Sequence, residues 1–184
     1  MRKLILFNMV TLDGFFAGSD GAIDWHVVDD EFHAFGSRQL DSVDTILFGR
    51  VIYQMMACYW PTEVASKRVP IIAAQMNQIA KIVFSTTLER AQRVNTRLLT
   101  EKAAEEVSRL KQLPGGDIIF FGSANLAATL TQNRLIDEYR IMVCPVVLGS
   151  GRPLFQGVER TLPMKLLDTR AFRSGNVLLV YQPI

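Results

Sequence analysis

Short apolar runs alternate with amphipathic or polar segments along most of this chain, and the alternation restricts the folds that it can form. The run Leu4–Val10 is nearly continuous, as expected of a strand that is covered on both faces. Further buried strands are predicted at Thr45–Phe48, Lys81–Phe84 and Asp117–Phe121. Strands of this type need a layer of helices on each side, so the pattern predicts a mostly parallel sheet between helices.

Helices are predicted between these strands. Asp29 and Asp30 open the first helix, because acidic residues favour the positive end of a helix dipole. The segment Thr11–Asp24 is rich in Gly and Asp and is predicted to be a long loop. The predicted helices are 29–40, a second that begins at Gly49-Arg50, 100–113 and 124–131.

The C-terminal part of the chain contains three strand candidates, all predicted to be antiparallel. They are Glu138–Val147, Lys165–Phe172 and Val177–Tyr181, and the turn Arg173–Asn176 joins the last two as a hairpin. We therefore predict a single α/β domain over residues 1–184. Its central sheet is mixed and mostly parallel, with an antiparallel C-terminal edge and helices on both faces.

Composition argues against several functions. Among 184 residues, 20 are Lys or Arg and 18 are Asp or Glu. The Lys and Arg residues are spread along the chain and form no basic cluster. Neither nucleic acid nor a membrane surface is therefore an expected partner, and the N-terminal apolar run is too short to span a bilayer. The two histidines and two cysteines lack metal-ligand spacing, so no metal is expected. Cys58 and Cys144 are predicted to be reduced, partly buried thiols of a cytoplasmic protein.

Several turns follow the predicted strands, and ligands of such sheets bind beyond the carboxyl ends of the strands. Gly49-Arg50 could hold a phosphate at a helix N-terminus, or form a turn with a solvated arginine. Ser85 and Thr86 could donate hydroxyl hydrogen bonds to a phosphate, or cap a turn. Gly122–Asn125 has small residues that let a pyrophosphate approach a helix, while Ser123 could equally be an ordinary N-cap.

Two more segments are candidates for the site. Pro145–Phe155 contains two glycines followed by Arg152, which puts a flexible turn beside a cation. In the other segment, the indole of Trp25 could hold a flat heterocycle, and Asp30 could orient that ring or help to protonate it. The alternative is structural: Asp29 caps the helix, Asp30 complements its dipole, and Trp25 belongs to the core.

Taken together, these segments resemble the dihydrofolate reductase-like family, in particular the group that includes the reductase domain of bacterial riboflavin biosynthesis. The resemblance covers nearly the whole chain, and its last segment is the most specific. The segments that carry it are Thr11–Gly14, Phe48–Tyr53, Lys81–Ser85, Phe121–Leu126, Leu135–Glu138 and Pro145–Phe155.

The resemblance implies a dihydrofolate reductase-like fold and an NADPH-dependent reductase that transfers hydride to a pteridine- or pyrimidine-type substrate. The loop Asp13–Gly21 would close over the nicotinamide as a lid. Trp25, Asp30 and Asp13 would contact the substrate, with Asp30 as the catalytic residue. The implied cofactor-binding residues are Met9, Val10, Gly21, Gly49, Arg50, Ser85, Thr86, Gly122, Ser123, Ala124, Asn125 and Leu126.

Some features depart from this family. Tyr53–Pro61 lacks the Asp-x-Pro-x-Leu segment of riboflavin reductase domains, and no deaminase domain is attached, so a stand-alone member with its own substrate is expected. A non-catalytic module that binds a dinucleotide or folate-like ligand is the alternative function. Family members commonly pair as dimers, and the apolar strand 139–147 is the segment expected to join two copies.

Overall fold

The computed structural model describes residues 1–184 and contains ten strands and six helices. The strands are β1 (Leu4–Thr11), β2 (Phe15–Ala17), β3 (Val43–Gly49), β4 (Ala80–Phe84), β5 (Thr96–Leu99), β6 (Asp117–Phe121), β7 (Glu138–Cys144), β8 (Arg152–Pro153), β9 (Met164–Ala171) and β10 (Val177–Pro183). The helices are α1 (Asp30–Leu40), α2 (Arg50–Tyr59), α3 (Glu63–Arg68), α4 (Pro70–Gln78), α5 (Ala103–Gln112) and α6 (Ala124–Gln132).

Eight strands form one central sheet in the order β5-β4-β3-β6-β1-β7-β10-β9. The first six strands in this order are mutually parallel, and β10 is antiparallel to both of its neighbours. The predicted mixed sheet with an antiparallel C-terminal edge is therefore confirmed. Its parallel connections bring the carboxyl ends of β3, β4, β5 and β6 to one rim.

The core lies on both faces of the sheet, as predicted for β1. Every residue of β1 is buried. Ile5 and Phe7 pack on one face with side chains from α1, α2 and α4, whereas Leu4 and Leu6 pack on the other with α5 and α6. Because successive side chains of a strand point to opposite faces, a strand covered on both sides must be apolar throughout.

Three parts of the sequence prediction need correction. The loop Thr11–Asp24 contains β2, which pairs with β8 in a separate two-stranded sheet. The edge strand β5 and the helices α3 and α4 were not predicted. The strand candidate Glu138–Val147 ends at Cys144 and is parallel to β1, although it is antiparallel to β10 as expected.

The expectation that strand 139–147 joins two copies stays a prediction, and the sheet restricts it to contact through a face of the strand. This strand is β7, which is hydrogen-bonded to β1 on one side and to β10 on the other. It has no free edge, and the sheet edges belong to β5 and β9. The two cysteines are unpaired; Cys144 is buried, but Cys58 is exposed instead of partly buried.

Candidate functional site

A cavity of about 700 Å³ opens at the carboxyl ends of β3, β4, β5 and β6. We call it the rim cavity. It gathers eight residues for which the sequence implied cofactor contacts: Gly49, Arg50, Ser85, Thr86, Ser123, Ala124, Asn125 and Leu126. The other four implied residues, Met9, Val10, Gly21 and Gly122, do not line it. Segments that are far apart in the chain thus meet at one surface because their strands are neighbours.

Three helices begin at this cavity, and none has a side-chain cap. The N-cap positions of α2, α5 and α6 are Gly49, Lys102 and Ser123, and none of them accepts a capping hydrogen bond. Away from the cavity, Asp29 caps α1 and Thr62 caps α3, whereas α4 has no side-chain cap and begins with Pro70. Uncapped N-termini leave backbone N–H groups free, which suits an anionic ligand.

Ser123 occupies the N-cap position of α6, but the predicted side-chain cap is absent. Its backbone is left-handed, with φ of 58° and ψ of 79°. An ordinary N-cap is extended and directs its side-chain oxygen at the second or third N–H of the helix. The left-handed conformation of Ser123 departs from that geometry and leaves its hydroxyl without a partner in α6.

Gly49 and Ser123 bring the starts of α2 and α6 into direct contact. A Cβ added at Gly49 would overlap Ser123 Oγ and lie 3.0 Å from Ser123 Cβ. Only glycine allows this approach, so Gly49 is required by packing rather than by its own backbone angles, which are extended. Two sets of free N–H groups therefore point to a shared region of the cavity.

Gly122 and Asn8 support this junction from the sheet. Gly122 has φ of 61°, and its N–H donates to Asn8 Oδ1 at 2.9 Å. Asn8 is buried in β1, among apolar neighbours. Asn8 was not among the predicted site residues, although a polar residue inside a buried apolar run signals a specific hydrogen bond.

The turn after β4 shows the capping role that was considered for Ser85. Ser85 Oγ accepts hydrogen bonds from the backbone N–H of Thr87 at 3.2 Å and of Leu88 at 3.0 Å. The capping role is therefore present. The Ser85 hydroxyl also lies 3.5 Å from the Thr87 hydroxyl, and either group can donate to the other.

The charge of the cavity lining is positive. It includes the cations Arg50, Lys102 and Arg152 and a single acidic residue, Glu101. Arg50 forms no ion pair and contacts only Gln54 Oε1 at 3.2 Å. Arg152 donates to the Ser19 carbonyl at 3.3 Å and belongs to the small β2–β8 sheet beside the cavity. Arg152 belongs to the candidate segment Pro145–Phe155, whereas Lys102 was not predicted.

The proposed substrate residues lie elsewhere. Neither Trp25, Asp30 nor Asp13 lines the rim cavity. Asp13 accepts hydrogen bonds from the Thr11 hydroxyl at 2.6 Å and from the N–H of Gly149 at 2.8 Å. The Thr11 hydroxyl, followed by the Gly149 N–H, lowers the pKa of Asp13. Its carboxylate thus ties the turn after β1 to the glycine turn before β8.

The three acids at the start of α1 have different partners. Asp29 accepts from the Phe32 N–H at 2.8 Å, so the structural alternative is correct for this residue. Glu31 accepts from Arg170 at 2.7 Å and from the Arg173 N–H at 3.0 Å. Asp30 is exposed and makes no side-chain hydrogen bond or ion pair. It is therefore the one acid of this turn that is free to interact with a substrate.

The segment before α1 carries two buried polar atoms without partners. Trp25 packs against the apolar core of the sheet, and its ring lies 4.4 Å from that of His26 in an edge-on arrangement. Trp25 Nε1 and His26 Nε2 are both buried and form no hydrogen bond. Burial lowers the pKa of His26 to about 4, so the imidazole is neutral at pH 7.

The order of strands and the rim cavity define this protein as a member of the dihydrofolate reductase-like fold class. The chain belongs to the RibD C-terminal domain family, whose profile matches residues 2–178. It is 36% identical over 182 residues to the uncharacterized protein YyaP of Bacillus subtilis (strain 168), covering 98% of this chain and 94% of YyaP.

Two solved structures illustrate the shared fold. One is the deaminase and 5-amino-6-(5-phosphoribosylamino)uracil reductase of Thermotoga maritima, with a TM-score of 0.71 and 15% identity over all of this chain and 57% of that one. The other is the Enterococcus faecalis dihydrofolate reductase complexed with NADP(H) and RAB-propyl, with a TM-score of 0.66 and 14% identity over 98% and 96% of the chains. The predicted fold and family are therefore confirmed.

Two negative observations complete the description. No three His, Cys, Asp or Glu side chains are grouped so that they could hold a metal ion. None of the helices has the length and apolar character needed to traverse a lipid bilayer.

Proposed function

We propose that this protein is an NADPH-dependent reductase that transfers hydride to a pteridine- or pyrimidine-type heterocycle. The observation that carries the proposal is the contact between Gly49 and Ser123, which joins two uncapped helix N-termini beside unpaired cations. Two converging sets of free N–H groups match the two linked phosphates of a dinucleotide. The named activities of the two similar structures agree with this class of reaction.

The lining residues fit such a cofactor in charge and space. The N–H groups at the starts of α2 and α6 would hold the pyrophosphate, with Ser123–Leu126 around it. Arg50, Ser85 and Thr86 would hold the phosphate on the adenosine ribose. The nicotinamide would lie toward the carboxyl end of β1, near Met9 and Val10, with Gly21 and its loop above it.

When bound, NADPH supplies the hydride, and the chain positions the reacting groups. Phe16 and Arg152 of the β2–β8 sheet would cover the cofactor and exclude water. Asp30 would accept a hydrogen bond from the heterocycle or pass a proton to it, and Trp25 would form one wall of the substrate site. We place this reaction in the cytoplasm, in keeping with two cysteines that are not paired with each other.

Arg50→Gln tests the cofactor assignment. Arg50 is exposed at the cavity and has no acidic partner, so its charge is available to a phosphate. We expect NADPH to bind about 10-fold more weakly and NADH to change by less than about 2-fold, because only NADPH carries the additional phosphate. Titration of each cofactor by fluorescence or calorimetry measures this ratio.

Arg68→Gln is the matched control, because Arg68 is an exposed helical arginine outside the cavity. It should leave both affinities unchanged. An unaltered NADPH to NADH ratio in Arg50→Gln would show that Arg50 does not hold the phosphate. If the unmodified protein binds neither cofactor at millimolar concentration, the proposed function itself is wrong.

A non-catalytic module that binds a dinucleotide or folate-like ligand is the second candidate. Asp30 favours it, because this carboxylate is exposed and lies outside the rim cavity. The two candidates differ in turnover. Loss of nicotinamide absorbance with any member of a panel of pteridines and pyrimidines identifies an enzyme, whereas binding without turnover across the panel identifies a module.

We further propose that two copies form a homodimer through one face of the C-terminal strands. Alternation along β7 and β10 puts Val143, Val177 and Leu179 on the face opposite Met142 and Leu178, and these three residues are partly exposed. Leu166 of β9 is level with Tyr181 of β10, and the bulge at this point allows Leu167 to share its face; the two leucines are 47% and 45% exposed. An isologous contact would bury this face on both copies.

Leu166→Glu combined with Leu167→Glu is expected to convert the homodimer to a monomer. Both side chains are exposed in the single chain, so their replacement should not disturb its core. Four carboxylates buried at a two-fold interface would each carry a desolvation cost of roughly several kcal/mol. Sedimentation velocity measures the mass. A monomeric unmodified protein, or a doubly substituted protein that still dimerises, would contradict the proposed face.

A further inference from the structure

Lys102 lines the rim cavity at the point where β5 leads into α5. Its backbone is left-handed, with φ of 63° and ψ of 40°. This conformation is unfavourable for a residue with a side chain and is found mainly where function or tight packing requires it. Its only charged contact is Glu105 at 3.4 Å, a pair in which both side chains are mostly exposed. Such pairs contribute little to stability, so the ammonium group is available to a ligand.

The register of the sheet places Lys102 relative to Arg50. Gly49 of β3 is level with Phe84 of β4, which is level with Leu99 of β5. The Ser85 N–H also donates to the Leu99 carbonyl at 2.9 Å, which keeps the ends of β4 and β5 side by side. Neighbouring strands are about 4.8 Å apart. The hydroxyl-rich turn Ser85–Thr87 therefore lies between two cations, one after β3 and the other after β5.

We propose that Lys102 is a second specificity-determining residue for the phosphorylated cofactor. It would contact the 2′-phosphate of the adenosine ribose from the side opposite to Arg50, with Ser85 and Thr86 between them. The inference rests on the proposed dinucleotide function, and it adds a residue from a different strand end. A ribose phosphate carries close to two negative charges at pH 7, so two cations are needed to neutralise it.

The acids near Lys102 do not remove this charge from the cavity. Glu106 is occupied by Arg97 and by Arg109, whose Nη2 lies 2.8 Å from it. Glu105 is held only by the loose pair with Lys102, and a phosphate would replace it as the partner. Glu101 also lines the cavity beside Lys102, but Arg50 and Lys102 together outweigh it at this end. The adenosine end of the cavity therefore keeps a positive charge that an unphosphorylated ribose would not use.

Lys102→Gln tests the proposal with two probes that differ by one phosphate. Adenosine 2′,5′-bisphosphate and adenosine 5′-monophosphate are titrated calorimetrically into the full-length protein. We expect the bisphosphate to bind about 5- to 10-fold more weakly to the variant, and the monophosphate to change by less than about 2-fold, as for loss of one charge-assisted contact. Lys102→Arg should keep most of the bisphosphate affinity, because it preserves the charge.

Lys67→Gln is the matched control. Lys67 is an exposed lysine that pairs with Glu63 on its own helix, as Lys102 does with Glu105, but it lies outside the cavity. Unchanged bisphosphate affinity in Lys102→Gln, or an equal loss for both probes, would overturn the role of Lys102. In either case, preference of the unmodified protein for NADPH over NADH would show that the proposed function survives. If the unmodified protein binds neither NADPH nor NADH, the proposed function fails first.

Discussion

Gly49→Ala is expected to weaken NADPH binding by about 30-fold or more, corresponding to roughly 2 kcal/mol. The new methyl group would overlap Ser123 Oγ and press against Ser123 Cβ. Rotation of the Ser123 side chain can move Oγ away, but the approach to Ser123 Cβ requires the starts of α2 and α6 to shift apart, which misaligns the free N–H groups of the two helices. Overpacking of this kind also costs about 1 to 3 kcal/mol of folding free energy. Calorimetric titration and urea unfolding measure the two effects separately.

A second substitution distinguishes this close contact from a general loss of stability. Ser123→Gly removes the side chain that the methyl group would meet, and glycine tolerates the φ of 58° at this position. The double variant Gly49→Ala with Ser123→Gly should recover most of the lost affinity. Gly36→Ala is the control, since Gly36 lies in α1 and its new Cβ would make an ordinary contact 3.5 Å from Ile72 of α4. Failure of the double variant to recover affinity would refute the packing argument.

The stability of the protein is expected to fall by about 3 kcal/mol between pH 7 and pH 4 through His26 alone. Burial holds the pKa of His26 at about 4 in the folded protein, against 6.5 in the unfolded chain. The unfolded chain therefore binds more protons between these two values. Because folding lowers the pKa of His26, its full contribution to the free energy of unfolding is present above about pH 6.5. That contribution is lost as the pH falls toward 4.

His26→Asn should flatten this part of the pH dependence. Carboxylates also titrate near pH 4, so the informative quantity is the difference in unfolding free energy between variant and unmodified protein. Urea unfolding at several pH values from about 4.5 to 7 measures this difference across the titration range of His26. His33→Asn, which changes the only other histidine, should keep the pH dependence. Identical pH profiles for His26→Asn and the unmodified protein would rule out a buried neutral imidazole.

The central strands were predictable because burial on both faces forces a continuous apolar run. The edge strand β5 was missed because only one of its sides is paired, and Arg97 lies exposed within it. The direction of β7 could not be deduced locally. Its hairpin-like neighbours suggested antiparallel pairing, but Glu138 is paired with Ile5 of β1, across most of the chain.

The cofactor-side residues were predictable as a group because the carboxyl ends of parallel strands share one rim. The individual interactions of these residues could not be predicted. The approach of Gly49 to Ser123 depends on two strands that are adjacent only in the folded sheet. Lys102 has no local motif, and only the register of β4 and β5 brings it to the cavity. Asn8 was recognisable as a polar residue in an apolar run, but its partner was not.

The central position of β1 affects how the chain folds during synthesis. This largely apolar strand leaves the ribosome before the other strands of the sheet, yet its two neighbours begin at Asp117 and Glu138. Until those residues are translated, β1 has no native hydrogen-bonding partner, and long-range pairing of this kind forms slowly. Nascent chains that end before Asp117 therefore expose an unpaired apolar strand. Such a strand is prone to aggregation and can be bound by molecular chaperones.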